Sequence, residues 1–319
     1  MEIKDKERRL VPILCGLLVL MACCFRTGAV LQEREPTVPQ KEVAPFIYMP
    51  GDREEGRPTE IGETQGSTEY QIYETSAPSL LSSKPSQEDI DDRCGAEPDI
   101  EAILQKEISL SVSEEPCVLI LHTHGTEAYA DCAGYRSEDE GENVIRVGKE
   151  IAEALNAAGI PTIHDTTAYD MEAGYNAAYD RAAEAIAAYL DKYPGIQVVI
   201  DVHRDAASDG QGGQKPLWAD LQGERAAAMM LVMGTDTPEL PHENWEENLS
   251  FALKLQSYIE EGNPGIMRKI SLRGARYNEH FTSCSILLEV GSAGNTMEEA
   301  LRSGAYFGAR LAEFLQSFS

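Results

Sequence analysis

The chain has 319 residues, 27 of them basic and 54 acidic, for a formal net charge of −27. That length holds one or two domains and a sizeable core. The charge argues against nucleic acid as a partner, because phosphate binding needs a basic surface, and against adsorption to an anionic membrane face.

Residues 1–9 are basic-leaning, and Leu10 to Phe25 is an almost uninterrupted apolar run. The run is slightly short of the ~20 residues that span a bilayer. Snorkelling by Arg26 lets Thr27 to Leu31 complete the span. Lys4, Lys6, Arg8 and Arg9 precede the run and only Arg26 soon follows it, which puts the amino end in the cytoplasm and the remainder outside. Residues 1–31 are therefore expected to form a cytoplasmic stub and a transmembrane signal-anchor, with the rest extracytoplasmic. A cleaved signal peptide and a lipoprotein signal at Leu20-Met-Ala-Cys23 are the alternatives, and all three readings export the chain. Cys94, Cys117, Cys132 and Cys284 belong to the exported part and fit no CxxC zinc pattern. Disulfides and packed free thiols are both open to them.

From about Gln32 to Pro98 the sequence is rich in Glu, Pro, Ser, Thr and Gly. Such a stretch cannot bury enough surface to offset its ordering entropy, so residues 32–98 are expected to be a disordered spacer. Phe46-Ile-Tyr-Met49 is an apolar island within it, able to dock on the domain or on a partner. The folded domain is expected over 99–319. Cys117 to His122 reads as a buried strand. Val144, Val147, Gly148, Ile151, Ala152 and Leu155 recur at helical spacing, closed by Gly159. A short strand at Pro161–His164 and a helix over about Tyr175–Tyr193 follow. Gln197–Val202, Ala228–Gly234 and Ser285–Val290 read as further buried strands, with helices about Asn244–Glu261 and Met297–Phe318. This alternation predicts an α/β domain with a mainly parallel sheet flanked by helices.

In such a sheet the chemistry sits beyond the carboxyl ends of the strands. The first strand ends in His122, His124 and Glu127, the second in His203, Arg204 and Asp205, and the last carries Glu289 on an apolar background. Zinc in a hydrolytic site takes three protein ligands, typically two His and one Glu. His124 and Glu127, at i and i+3, reach one ion from a single turn, and His203 supplies the third ligand. His122 is a substitute for His124, since strand alternation puts both on one face. Glu289 is the candidate proton carrier, because an ionised carboxylate in an apolar strand is costly unless it is paired or metal-bound. His280, near the last strand, is a candidate for orienting substrate.

The blocks Leu121-His-Thr-His-Gly-Thr-Glu-Ala-Tyr129, Asn143-Val-Ile-Arg-Val-Gly148, Val199-Ile-Asp-Val-His-Arg-Asp-Ala206, Met233-Gly-Thr-Asp236, Asn244-Trp-Glu-Glu-Asn248, Arg276-Tyr-Asn278 and Leu288-Glu-Val-Gly-Ser292 stand in this order. Together they resemble the stage II sporulation protein P family of engulfment peptidoglycan hydrolases. Cys284 departs from the small residue expected before the last strand. The resemblance implies a domain similar to zinc amidases and zinc carboxypeptidases. It implies a Zn2+-dependent N-acetylmuramoyl-L-alanine amidase with cross-link endopeptidase activity on septal peptidoglycan. It also implies two partners, a lytic transglycosylase (stage II sporulation protein D) and a membrane protein (stage II sporulation protein M). Arg204, Asp205, Arg273 and Arg276 are then candidate binders of stem-peptide carboxylates and amines, with surface ion pairs as the alternative. A peptidase confined to stem peptides and an inert wall-binding scaffold are the rival functions.

Overall fold

In the computed structural model, which describes Phe46, Ile47 and residues 84–173 and 177–318, the central feature is one eight-stranded sheet. In chain order the strands are β1 (Phe46–Ile47), β2 (Ile90–Asp92), β3 (Val118–Leu121), β4 (Thr162–His164) and β5 (Val198–Asp205). They continue with β6 (Trp218–Leu221), β7 (Glu224–Ala227), β8 (Met229–Gly234), β9 (Ile270–Arg273) and β10 (Cys284–Ser292). The helices are α1 (Ile100–Leu104), α2 (Val144–Ala157), α3 (Ala178–Lys192), α4 (Trp245–Gly262) and α5 (Met297–Gln316).

The sheet order is β1-β4-β3-β5-β10-β8-β9-β2, and β6 and β7 form a separate hairpin. Strands β4, β3, β5 and β10 run parallel, as do β8, β9 and β2. The two groups meet in an antiparallel β10–β8 pair. The reversal has a simple cause. No helix crosses between β5 and β8: the chain leaves β5 through the β6–β7 hairpin and enters β8 at the same end. Parallel neighbours need a crossover connection, and this one is absent.

Helices α2 and α5 cover one face. Asn143 caps α2 by accepting from the Ile145 N–H, and Thr296 and Glu299 form a capping box at α5. The two helices approach closely because Gly304 faces Val147 and Gly308 faces Ile151 and Ala154. On the other face α3 buries Ala182 and Ile186 against Leu119, Leu121 and Val199. The half of that face over β10 and β8 carries only a small apolar group, Met230, Val232 and Leu287, with Tyr277 packed against it.

The ordered domain begins earlier than the expected Asp99 boundary. Ile90–Asp92 pairs with β9 as an edge strand, and Phe46–Ile47 pairs antiparallel with β4. A three-residue edge strand is held by its neighbour's backbone and leaves little hydrophobic pattern to read. The expected signal-anchor over 1–31 and the rest of the spacer up to residue 83 lie outside the described residues. Among the described residues no helix is long and apolar enough to cross a membrane. Cys94, Cys117, Cys132 and Cys284 are all free thiols.

Candidate metal centre

Strand β3 stops at Leu121, and the next residues turn over the end of the sheet. The Glu127 N–H donates to the His124 carbonyl at 3.0 Å, which closes the turn and sets both side chains on one side of it. Two buried carboxylates pin this turn. Asp201 accepts from the Thr123 N–H at 2.8 Å and its hydroxyl at 2.5 Å. Asp170 accepts from the Thr126 hydroxyl at 2.6 Å and from Arg136 at 2.6 Å.

His203 enters from β5. Its Nδ1 lies 3.3 Å from Glu127 Oε2, and His124 Nδ1 lies 3.8 Å from Glu127 Oε1. His124, Glu127 and His203 are buried, and their ligand atoms all lie within 4.8 Å of one another. The His124 and His203 rings meet edge to face, with centroids 5.2 Å apart.

The electrostatics call for a cation. Burial raises the Glu127 carboxyl, but the bond and charge of His203 and the charge of Arg204 outweigh it, and the net shift is downward. Burial likewise raises Asp201, and His203 together with the Thr123 bonds reverses this. In His203 burial opposes the charge, yet Asp201 and Glu127 hold it well above the usual histidine range. Positive charge is therefore favoured between the two buried carboxylates. Two imidazoles and one carboxylate suit zinc. His203 Nε2 also lies 2.9 Å from Asp201 Oδ1, without the alignment of a full hydrogen bond. That is the carboxylate–histidine arrangement found behind metal ligands. The residues present fit a divalent metal held by His124, Glu127 and His203.

Glu289 is in register with His203 on the adjacent strand, and strand alternation puts it on the same face as His203 and Asp201. The residue keeps part of its surface, but its Oε2 is closed off from solvent and has no hydrogen-bond partner among the described residues. Burial pushes its carboxyl up to about 8, with His203 drawing it back and Glu127 adding to the rise.

His122 stands apart from this group. Its Nδ1 lies 3.1 Å from the Val202 carbonyl and its Nε2 lies 2.9 Å from His164 Nε2. The carbonyl can only accept, so His122 carries its proton on Nδ1 and His164 donates across the pair. The ring is packed under α2, where a Cβ on Gly148 would lie 2.5 Å from His122 Nε2. The expected shared face for His122 and His124 fails because the strand ends before His122 and alternation ends with it. Burial lowers His122 to about 4 and holds His164 well below the usual range.

The expected substrate binders divide. Arg204 turns inward: its N–H donates to Glu127 Oε2 at 3.2 Å, and its guanidinium binds the Ala128 and Tyr135 carbonyls. It lies 3.6 Å from Glu127 Oε1 and is buried, so it braces a metal ligand instead of facing substrate. Asp205 pairs with Arg268 at 2.7 Å. Arg273 donates from Nε to Ser271 Oγ at 2.8 Å. Arg276 and His280 belong to the loop before β10. His280 stacks on Phe281 with centroids 4.3 Å apart.

A family model described as Stage II sporulation protein P (SpoIIP) matches residues 38–312. The chain belongs to this family. The "Stage II sporulation protein P" of Bacillus subtilis (strain 168) is 26% identical over 208 residues, covering 60% of this chain and 49% of the relative. The chain thus spans about half the length of the curated relative it matches. Solved structures with some likeness include the N-acetylmuramoyl-L-alanine amidase AmiC2 of Nostoc punctiforme, at 14% identity and a TM-score of 0.40, covering 65% of this chain and 99% of that one. Another is the N-acetylmuramyl-L-alanine amidase Ami1 of Mycobacterium smegmatis, at 14% identity and a TM-score of 0.37, covering 66% of this chain and 100% of that one.

In this family member the residues that sequence reasoning missed are Asp201, Thr123, Asp170 and Arg136. A signal existed for Asp201. It stands two positions before His203 on a strand, hence on the same face, and an acid in an otherwise apolar run needs a partner.

Proposed function

We propose that the chain is a zinc-dependent N-acetylmuramoyl-L-alanine amidase, with cross-link endopeptidase activity, that degrades septal peptidoglycan during forespore engulfment. In this reading it acts outside the membrane, held by its amino-terminal anchor. It works beside a lytic transglycosylase (stage II sporulation protein D) and a membrane partner (stage II sporulation protein M). The carrying observation is the buried His124, Glu127 and His203 group with Glu289 in register beside His203. Family membership supplies the biological setting.

When bound, zinc supplies Lewis acidity toward water and toward a carbonyl oxygen. The rest of the chemistry belongs to the chain. Glu289 takes a proton from the attacking water and returns it to the leaving amine nitrogen. Its raised affinity for a proton suits both halves of that task. Arg204 and Asp201 hold Glu127 and His203 in place. Both bonds in question are amides, so one such site serves the amidase and the endopeptidase reactions.

The test is digestion of purified peptidoglycan by the full chain, with and without a zinc chelator and beside Glu289→Gln, with products identified by mass spectrometry. Free stem peptides and peptide-free glycan, lost on chelation and in the variant, are expected. Cut cross-links with every stem still on glycan would replace the amidase by a peptidase. No digestion, even with the transglycosylase present, would leave a scaffold.

A further inference from the structure

The turn before β10 holds an aromatic side chain where turn chemistry calls for another residue. The Glu279 N–H donates to the Arg276 carbonyl at 2.9 Å and closes the turn. Its central residues, Tyr277 and Asn278, have φ of 48° and 59°. Such a left-handed pair belongs to turns dominated by Gly, Asn and Asp. Asn278 conforms. Tyr277 does not, and a positive φ in a bulky residue is a genuine outlier. Among the described residues the other positive-φ positions outside glycine are Glu97 and Gln222, so Tyr277 is the one aromatic ring held this way.

Strain of this kind persists only where the surroundings over-determine it, and here they do. Asn278 Nδ2 donates to the Tyr179 carbonyl at 2.8 Å. Glu279 Oε2 accepts from the Gly234 N–H at 2.7 Å, and the Glu279 carbonyl accepts from Asn248 Nδ2 at 2.7 Å. Gly234 lets the loop come close, since a Cβ there would run into the Ala275 carbonyl oxygen.

The ring so placed leads to the metal centre. Tyr277 packs against Met230, Val232 and Leu287 and meets Tyr179 with ring centroids 5.9 Å apart. Tyr179 meets His124 edge to face, with centroids 5.4 Å apart and planes at 86°. His124 therefore touches two rings edge to face, that of Tyr179 and that of its fellow ligand His203. Asn278 fixes the backbone of Tyr179, and Tyr277 its ring.

We infer that the Tyr277–Asn278 turn is a positioning element for the metal ligand His124, acting through Tyr179. The strained backbone sets the Tyr277 ring against Tyr179, and Tyr179 sets the plane of the His124 imidazole. This rests on the zinc-dependent reading above, though not on which amide is cut. An edge-to-face aromatic contact is worth roughly a two- to tenfold factor, and that is the scale of metal affinity at stake.

The experiment measures zinc Kd for the full chain by competition with a chromophoric chelator, in the wild type, Tyr179→Leu, Tyr277→Leu and the double variant. Leucine keeps apolar cover over Met230, Val232 and Leu287 and removes the ring. Tyr179→Leu is expected to weaken zinc about tenfold and Tyr277→Leu about threefold. The double variant is expected to match Tyr179→Leu, because the two rings act in series. Tyr277→Phe keeps wild-type affinity. Tyr277→Gly relaxes the turn but lacks the ring, and it is expected to lose the same threefold as Tyr277→Leu. Wild-type affinity in Tyr277→Leu and Tyr277→Gly would make the turn a packing element and overturn the inference, as would losses that multiply in the double variant. A wild type that binds no zinc would overturn the metal centre and the inference with it. The expected pattern in a chain that cuts no amide would overturn the hydrolase reading and leave the positioning role standing.

Discussion

Asp201 reaches both halves of the metal centre, lying 2.9 Å from His203 Nε2 and accepting from the Thr123 N–H at 2.8 Å. One carboxylate thus fixes the ring of the β5 ligand and the start of the turn that presents His124 and Glu127. Asp201→Ala is expected to lower zinc affinity ~10–100-fold, the usual effect of losing such a partner. Competition with a chromophoric chelator measures it. Wild-type affinity in a folded variant would leave Asp201 a structural acid and nothing more.

Arg204 braces Glu127 from the other side. Arg204→Met removes the guanidinium from a buried carboxylate and from the Ala128 and Tyr135 carbonyls. Leaving one partner of a buried pair uncompensated costs about 3 kcal/mol. Denaturant unfolding of the variant should show a loss of that order, and a loss no larger than that of a surface substitution would contradict this role.

These two residues also mark where sequence reading stops. Runs such as Val118–Leu121, Val198–Val202 and Cys284–Val290 announce buried strands by apolar character alone, and the strong periodicity from Val144 to Leu155 announces α2. The convergence of His124, Glu127 and His203 follows once β3 and β5 are neighbours. The inward turn of Arg204 does not, because an arginine after a strand looks the same whether it grips carbonyls or faces water. The reversal of β8 is not legible either, since it depends on the hairpin between β5 and β8, whose two four-residue strands are too short to carry a readable pattern. The shared face expected for His122 and His124 fails because alternation stops at Leu121, the last paired residue.

Glu279 offers a pH-dependent check. Its Oε2 accepts from the Gly234 N–H at 2.7 Å, but its buried Oε1 has no hydrogen-bond partner among the described residues. Burial, with Asp201 adding to it, holds this carboxyl well above the usual range against the pull of the Gly234 bond. The folded pKa is raised, so the native state keeps a proton that the unfolded chain loses near about 4.3. The associated stability is full below that pH and is lost as pH rises toward the folded pKa, by up to about 1.4 kcal/mol per pH unit. Glu279→Gln should flatten this slope in unfolding measurements from pH 4 to pH 8. An unchanged slope would mean that another group sets it.

Gly148 provides a packing test. A Cβ there would lie 2.5 Å from His122 Nε2 and 3.0 Å from His164 Nε2, both buried rings. Gly148→Ala should destabilise the domain by about 1–3 kcal/mol through overpacking, read as a lowered melting temperature. A variant as stable as the wild type would show that the His122–His164 pair yields easily.

Metal content tests most directly whether His124, Glu127 and His203 hold the metal. Zinc bound to the full chain after dialysis, measured by mass spectrometry for the wild type and single variants, is predicted to be one ion per chain. His124→Ala, Glu127→Ala and His203→Ala should each abolish it, and His122→Asn should keep it. Zinc that persists in His203→Ala, or that disappears only with His122, would contradict the account.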